Sequence, residues 1–326
     1  MYADINEVEK KYEISDFPLN IIIEPGNYCN LNCTTCANSM MTRPKGRMNI
    51  LLYKKLIDEI AQENPTTRIW LDFYGEPLLQ QFRLFYMIDY AKKHGLTNVN
   101  LNTNGTLLNQ EMTEMILDSG LDFISIDCDG FSKEVYEKIR VNANRDVTYA
   151  NIEYFLKRRE ERGLKKPIVE VKAMEMEENA HEIGDIIRYW RERGAWTTTR
   201  RLISWAGMID EISPVAQKNR VACGYAVGIM AITWEGKVAG CVMDVDAKLV
   251  CGDVKAESIK NIWKRHVETM VKKHIEHRFD ELPEICRNCT DWMIVGEERF
   301  DEHGNPVEKS YQHDKSMLSA NTETDK

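Results

Sequence analysis

Apolar, strand-like runs alternate with stretches of helical periodicity along the first two thirds of the chain. Six runs are predicted strands, at residues 21–23, 68–73, 99–102, 123–126, 168–173 and 200–205. The stretches between them have apolar residues three and four positions apart, over residues 51–63, 82–94, 110–119, 132–140 and 151–163. Repeated βα units favour a parallel sheet, and six units are too few for a closed eight-stranded barrel. The pattern therefore predicts an α/β fold, a partial (β/α)6 barrel of TIM type, with its working face at the carboxyl ends of the strands.

Three cysteines follow the first predicted strand at spacings of four and three residues: Cys29, Cys33 and Cys36. Three soft thiolates on one loop suit three irons of a cubane cluster, and they leave the fourth iron open to another molecule. A structural zinc site would need a fourth Cys or His within a few residues, and a disulfide would leave one thiol over. The spacing therefore predicts an iron-sulfur cluster with an open coordination position.

The C-x3-C-x2-C motif after a first strand resembles that of the radical S-adenosylmethionine (SAM) enzymes. The resemblance implies a [4Fe–4S] cluster whose open iron binds SAM. In that family one electron from the cluster cleaves SAM to methionine and a 5′-deoxyadenosyl radical, which then abstracts a substrate hydrogen. The resemblance also implies that Tyr28 and Thr35 of the loop lie against the cofactor. Thr35 replaces the bulky apolar residue that usually precedes the last cysteine.

Polar motifs follow the next predicted strands. Tyr74-Gly75-Glu76-Pro77 comes after the second one and resembles the Gly-Gly-Glu-Pro motif that holds the SAM amino group, with Tyr74 in place of the first glycine. By the same resemblance, candidates for the ribose and carboxylate of SAM are Asn104, Ser125, Asp127 and Arg140. Each feature has a plain alternative: a common turn for Gly-Glu-Pro, turn capping for Asn, Ser and Asp, and a solvated helix end for Arg.

Five of the nine cysteines lie beyond residue 207. Residues 225–234 and 237–243 predict a β-hairpin, and an amphipathic helix over 258–277 leads to a Cys-x2-Cys pair. This order resembles the twitch version of the SPASM domain, which carries one auxiliary [4Fe–4S] cluster. The resemblance implies four ligands: Cys223, Cys241, Cys286 and Cys289. A zinc ribbon with the same ligands is the alternative. The histidines of the helix, at 266, 274 and 277, are predicted to face solvent.

Two cysteines remain, Cys128 and Cys251. A thiol at the barrel mouth would donate a hydrogen atom to a substrate radical and make the enzyme an epimerase; the alternative is a small buried hydrophobe. Loss of a hydroxyl proton and transfer of one electron to the auxiliary cluster would instead make it a dehydrogenase. Their position near the predicted lobe junction gives four candidates for this proton transfer: Asp210, Glu211, Asp244 and Arg201.

The net charge and the cysteine content limit the possible partners of the protein and its cellular compartment. A net charge of -9 without a dense Lys/Arg stripe argues against nucleic acid, and no apolar run approaches the ~20 residues that span a bilayer. Nine cysteines without an export signal predict reduced thiols and a cytoplasmic protein. The expected divisions are an N-terminal extension (1–16), the barrel (17–206), a small α+β twitch domain (207–295) and a flexible tail (296–326).

The resemblance to aminocyclitol dehydrogenases and aminoglycoside epimerases implies a small polar substrate, such as a sugar, aminocyclitol or nucleoside. It also implies a flavodoxin- or ferredoxin-type electron donor. Only roughly 20 residues precede the first predicted strand, too few for a peptide-recognition domain. Two other classes stay open: a peptide-modifying radical SAM enzyme, and a non-catalytic iron-sulfur or zinc protein.

Overall fold

Six parallel strands lie side by side in sequence order. A computed structural model describes residues 12–209, 220–287, 289–293, 298–300 and 306–307. The strands are β1 (Asn20–Ile23), β2 (Arg68–Trp70), β3 (Val99–Thr103), β4 (Phe123–Asp127), β5 (Ile168–Glu175) and β6 (Trp196–Arg201). The helices between them are α1 (Ile50–Glu63), α2 (Phe82–Lys93), α3 (Gln110–Asp118), α4 (Lys133–Ile139), α5 (Arg145–Glu161) and α6 (Ile183–Arg191). The predicted parallel β/α core is confirmed.

Alternation along the strands separates an apolar layer from a polar one. In β4, Ile124 and Ile126 are fully buried in the main core with the helices, as Val169 and Val171 are in β5. The residues between them point to the opposite face, because side chains alternate along a strand. We call this inner face of the partial barrel the lumen.

Two elements of the barrel begin earlier than predicted, and one helix was not predicted. β6 begins at Trp196 rather than 200, because its Trp-Thr-Thr-Thr run has no apolar pattern to reveal it. α5 begins at Arg145 instead of 151, since the Asn144 side chain caps it by accepting the Val147 N–H. α6 was not predicted.

The C-terminal lobe continues the sheet of the barrel. β7 (Ile229–Ile232) pairs in parallel with β1, and β8 (Lys237–Ala239) and β9 (Val250–Asp253) follow in antiparallel order. Beyond β6, β10 (Glu298–Phe300) and β11 (Pro306–Val307) complete eleven strands within the described ranges. The predicted hairpin is confirmed in a shorter form, between β7 and β8.

Short helices complete this lobe: α7 (Gly224–Gly228), α8 (Ile259–His266), a π-helical segment (Val267–Val271), α9 (Lys272–Ile275) and α10 (Glu284–Arg287). Single 3-10 turns lie at Ala37–Met40, Pro77–Gln80, Phe279–Glu281 and Asp291–Met293. Where the structure describes the chain, it contains no helix that could cross a lipid bilayer.

The prediction that the helix histidines face solvent is wrong for two of them. His266 is 5% exposed because it continues the buried stripe of Ile259, Ile262 and Trp263. His274 is 1% exposed and follows the π-helical segment, which adds a residue to one turn and so rotates the next face. A regular helical projection misses this rotation.

Candidate functional site

The three-cysteine loop leaves the end of β1 and runs beside the end of α4. Asn32 and Thr34 donate their backbone N–H groups to the carbonyls of Val141 and Ile139, both at 3.0 Å. These bonds fix the loop over the carboxyl ends of the strands.

Burial raises the pKa of all three thiols, and that of Cys33 to about 12. The charge of Cys29 raises the pKa of both other thiols, so the three interact as one group. Buried thiols of raised pKa lose their protons when a metal coordinates them. This donor set fits an iron-sulfur cluster.

Backbone amides donate to four cluster-candidate sulfurs in a repeated pattern. The donor is the amide two residues further along, for Cys29, Cys36, Cys241 and Cys289, at 3.3 to 3.5 Å. Hydrogen bonds to the sulfurs are one means by which proteins set the potential of iron-sulfur clusters. Both cysteine groups therefore have surroundings suited to such a cluster.

The Gly75-Glu76 turn is bound directly to the cysteine loop. The Glu76 N–H donates to the Tyr28 carbonyl at 2.8 Å. A Cβ on Gly75 would overlap the Gly26 carbonyl oxygen and lie 2.9 Å from Asn27 Cα. The contact between these two chain segments thus requires glycine here.

The Glu76 carboxylate is 2% exposed and accepts three hydrogen bonds. Its donors are Thr103 Oγ1 at 2.7 Å, the Asn104 N–H at 2.9 Å and the Leu78 N–H at 3.0 Å. Burial raises its pKa to about 7, although all three donors favour the charged form. A carboxylate held in this way beside the cysteine loop suits a cationic group such as an ammonium.

Other candidates of the cofactor site lie around the loop. Asn104 donates to Asn30 Oδ1 at 3.0 Å and lies 4.0 Å from Cys29 Sγ. Tyr28 is 45% exposed, whereas Thr35 is buried and its carbonyl accepts the Trp205 indole N–H at 2.8 Å. The structure therefore brings Asn104 and the loop together as predicted.

The side chain of Tyr74 contacts the C-terminal lobe, and the place of Tyr74 in the SAM-binding motif stays a prediction. Its hydroxyl donates to the Val242 carbonyl at 2.9 Å, and its ring lies 5.4 Å from that of Trp205. Tyr74 is therefore a packing residue between the barrel and the C-terminal lobe.

Ser125 and Asp127 face the lumen from β4. Ser125 donates to Glu170 at 2.7 Å, and Lys172 Nζ is 3.3 Å from Asp127. Arg140, predicted to bind the SAM carboxylate, is buried and pairs with Asp129 at 2.6 Å and with Asp127 at 3.6 Å. Its guanidinium already has two carboxylate partners.

Sequence reasoning missed other polar residues of the lumen. Asp72 follows β2, Asn102 lies next to the last residue of β3, and Lys172 lies within β5 opposite Asp127, the last residue of β4. Lys172 Nζ also donates to Asn102 Oδ1 at 3.3 Å. Burial raises the pKa of Asp72 to about 8. The sequence did contain a signal for these lumen residues: a polar residue stands at every second position of Asn-Leu-Asn, Ile-Ser-Ile-Asp and Val-Glu-Val-Lys. It was missed because these segments were interpreted only as apolar runs.

Four cysteines meet in the C-terminal lobe as predicted. Burial raises the pKa of Cys223, Cys241, Cys286 and Cys289. The charges of Cys286, Cys223 and Cys289 raise that of Cys241 further, so these thiols are neighbours. In the described ranges no three His, Cys, Asp or Glu side chains converge on one point as single-ion ligands do. In a cubane each iron has its own thiolate, so the sulfurs are spread apart.

The two remaining thiols do not face the lumen. Cys128 is fully buried on the helix side, where Tyr149 and Trp190 contact it. Cys251 lies on β9, the strand at the far end of the sheet from β6, with its Sγ 3.4 Å from His266 Nδ1. These surroundings favour the alternative of a packed thiol over a hydrogen-atom donor for both cysteines.

Of the four proposed bases at the lobe junction, the structure describes Arg201, the last residue of β6, and Asp244. Asp210 and Glu211 lie outside the described residues. Asp244 is buried and accepts the Leu249 N–H at 2.7 Å, which makes it a loop-capping residue.

Comparison with known proteins matches both halves of the chain. The model of the radical SAM superfamily matches residues 23–191, and that of the SPASM iron-sulfur cluster-binding domain matches residues 223–290. The S-adenosyl-L-methionine-dependent 2-deoxy-scyllo-inosamine dehydrogenase of Niallia circulans is 22% identical, over 86% of this chain and 96% of that protein.

Two solved structures share the fold. BtrN in complex with AdoMet and 2-DOIA has a TM-score of 0.57 and 20% identity, over 83% of this chain and 92% of that one. Streptococcus suis SuiB bound to its precursor peptide SuiA has a TM-score of 0.62 and 13% identity, over 78% of this chain and 66% of that one. At these identities the likeness shows the fold alone.

Proposed function

Because the chain belongs to the radical SAM superfamily, we propose that it oxidises a small polyhydroxylated molecule, such as an aminocyclitol, sugar or nucleoside, at a carbon bearing a hydroxyl group. The contact of the three-cysteine loop with the Gly75-Glu76 turn carries this proposal, since it places a cluster site and a cation-binding carboxylate together.

Cys29, Cys33 and Cys36 would hold the cluster that binds SAM, and Glu76 would accept a hydrogen bond from the SAM amino group. When bound, the cluster and SAM together supply a 5′-deoxyadenosyl radical that takes a hydrogen atom from carbon. The four cysteines of the C-terminal lobe would hold a second [4Fe–4S] cluster, which accepts one electron. The chain's own residues align the substrate hydroxyl, exclude water and receive the proton of that hydroxyl.

Oxidation is favoured over epimerisation by the positions of the two thiols without cluster partners. An epimerase must return a hydrogen atom to the substrate radical, and Cys128 and Cys251 both lie away from the lumen. The polar lumen suits a substrate with several hydroxyl or amino groups, because buried Asp, Lys and Glu side chains discriminate such groups by hydrogen bonding. The similarity to the 2-deoxy-scyllo-inosamine dehydrogenase of Niallia circulans supports an aminocyclitol-like substrate.

A reductant must supply the electron for SAM cleavage, and we assign this role to a flavodoxin or ferredoxin. All nine cysteines are free thiols, which fits a reducing cytoplasmic setting.

The first test is anaerobic reconstitution with iron and sulfide, followed by iron counting and an assay of 5′-deoxyadenosine formed from SAM. Two cubanes give about eight irons per chain. The triple Cys29/Cys33/Cys36→Ala variant should keep about four irons and lose SAM cleavage. The Cys286/Cys289→Ala variant should also keep about four, whereas Cys251→Ala should keep all of its iron.

The substrate is tested with 2-deoxy-scyllo-inosamine, glucosamine and adenosine in D2O. Oxidation gives a carbonyl product, and epimerisation would place solvent deuterium on the inverted carbon. Deuterium on carbon would overturn the oxidation proposal. Turnover of a precursor peptide but of no small alcohol would favour a peptide-modifying enzyme. Bound zinc without SAM cleavage would refute both.

A further inference from the structure

One carboxyl group in the lumen has no partner for one of its oxygens. Asp72 Oδ1 is buried without a hydrogen bond, and it is the only carboxylate oxygen in that condition within the described ranges. A buried polar atom without a partner destabilises the folded protein. Such an atom at the carboxyl end of a barrel strand marks a place where a ligand group completes the hydrogen bond.

Asp72 lies among residues that belong to three other parts of the site. Lys172 of β5, Asp127 of β4 and Glu76 of the turn after β2 all act on its carboxyl through their charges. Glu76 is in turn bound to the cysteine loop, so the charges that act on Asp72 come both from the side of that loop and from the lumen. A substrate in the lumen would therefore meet Asp72 close to the candidate cofactor site.

The two lumen carboxyls have opposite environments. Although burial alone would raise the pKa of Asp127, Lys172, Arg140 and Arg200 lower it to about 2. Burial raises the pKa of Asp72 to about 8, with repulsion from Asp127 and Glu76 and against the attraction of Lys172. Paired carboxyls that titrate far apart divide their tasks: one is a fixed charge and the other exchanges a proton.

We propose that Asp72 is a catalytic residue that hydrogen-bonds the reacting hydroxyl of the substrate and receives its proton, while the Lys172–Asp127 pair positions a neighbouring hydroxyl or amino group. This inference rests on the proposed function, and it assigns the proton acceptor that oxidation requires.

The step balances as the two-electron oxidation of an alcohol to a ketone. The C–H bond breaks, and its hydrogen atom goes to the 5′-deoxyadenosyl radical. The O–H bond breaks, and its proton goes to an Asp72 oxygen. One electron goes to the auxiliary iron-sulfur cluster as the C=O double bond forms. Asp72 then returns its proton to solvent.

The first measurement needs no substrate. Infrared spectra of the reconstituted holoenzyme with SAM are recorded between about pH 6 and pH 10, for wild type and for Asp72→Asn. The wild type should show a protonated-carboxyl band that disappears as the pH rises through about 8. The part of the band that ionises near pH 8 should be absent from Asp72→Asn, which keeps any contribution of Glu76. It should be retained in Asp89→Asn, which makes the same change at an exposed surface pair.

The second measurement uses the alcohol that the wild type turns over. Ketone formation should rise with pH through about 8, because only the ionised carboxylate accepts a proton. Asp72→Asn should lower it by roughly 100- to 10,000-fold and abolish the pH dependence, and Asp72→Glu should restore part of the activity. Iron content reports whether each variant is folded.

The outcomes separate the two proposals. If no band depends on Asp72, or if Asp72→Asn oxidises the alcohol as fast as wild type, the assignment of Asp72 is overturned and the oxidation stands. If the wild type oxidises none of the three alcohols although the band is present, the proposed function fails, and the proton-acceptor role fails with it.

Discussion

At the scale of single residues, the site depends on buried carboxyls whose charge is set by their neighbours. Glu76 accepts two backbone N–H groups and one hydroxyl, whereas Asp127 lies among cations. Burial raises the pKa of Glu76 to about 7 in spite of these hydrogen bonds, whereas the neighbouring cations lower that of Asp127 to about 2. The raised pKa of Glu76 predicts that SAM binding depends on pH near neutrality.

We expect SAM to bind more weakly as the pH falls below about 7, because the raised pKa of Glu76 means that its carboxylate becomes neutral there. Glu76→Gln should weaken binding by roughly 10- to 100-fold and remove the pH dependence, since a hydrogen bond to a charged group contributes about 1.5–3 kcal/mol. Equilibrium dialysis of SAM against the reconstituted enzyme measures both. The exposed Glu192→Gln is the control. An unchanged affinity in Glu76→Gln would exclude the ammonium contact.

At the scale of elements, loops that leave neighbouring strands lock together. The turn after β2 contacts the loop after β1 through Gly75, and the loop after β3 contacts both through Asn104. Neighbouring parallel strands end at one edge, so their loops meet without long connections. The cluster loop is thus held on two sides before any metal binds.

Gly75→Ala should destabilise the enzyme by about 1–3 kcal/mol and reduce its iron content, because the new Cβ would overlap the Gly26 carbonyl oxygen. Gly184→Ala is the matched control, since nothing lies within 4 Å of the Cβ position there. Thermal unfolding and iron analysis compare the two. Equal thermal unfolding midpoints and equal iron contents in both variants would show that the two loops can move apart to accept the new Cβ, which would contradict this prediction.

The sequence was sufficient to predict the elements whose pattern is apolar and the loops whose chemistry is distinctive. The first five strands, the cysteine loop and the four thiols of the C-terminal lobe lie where expected. It was insufficient where polar side chains fill a strand, as in β6, or where a π-helical segment changes a buried face, as before His274. The surroundings of Asp72 come from several strands that are distant in sequence. No local sequence pattern could therefore predict them.

At the scale of the whole molecule, a buried ion pair joins the two lobes. Arg43 Nη1 donates to Glu24 at 2.7 Å, and the same carboxylate accepts the Trp234 N–H at 3.0 Å. Arg43 Nε also donates to the Val245 carbonyl at 2.7 Å, and Asp246 accepts from Thr42. The segment after the cluster loop is thereby attached to the loop that follows Cys241.

Arg43→Met should lower the free energy of unfolding by about 3–5 kcal/mol, because it leaves the fully buried Glu24 without a counter-charge. Lys93→Met removes an exposed partner of Asp89 and should cost at most about 0.5 kcal/mol. Anaerobic urea unfolding followed by circular dichroism measures both. Similar losses in the two variants would contradict a role for the buried pair in joining the lobes.

The pairing of β1 with β7 also has a consequence during synthesis. Asn20 of β1 donates to the Gly228 carbonyl, 208 residues later in the chain. At roughly 5–20 residues per second, a ribosome needs about 10–40 s to make the intervening chain. Throughout that time the nascent barrel has an open strand edge, the kind of surface on which newly made chains aggregate. The speed of translation between β1 and β7 therefore sets how long the growing enzyme needs protection.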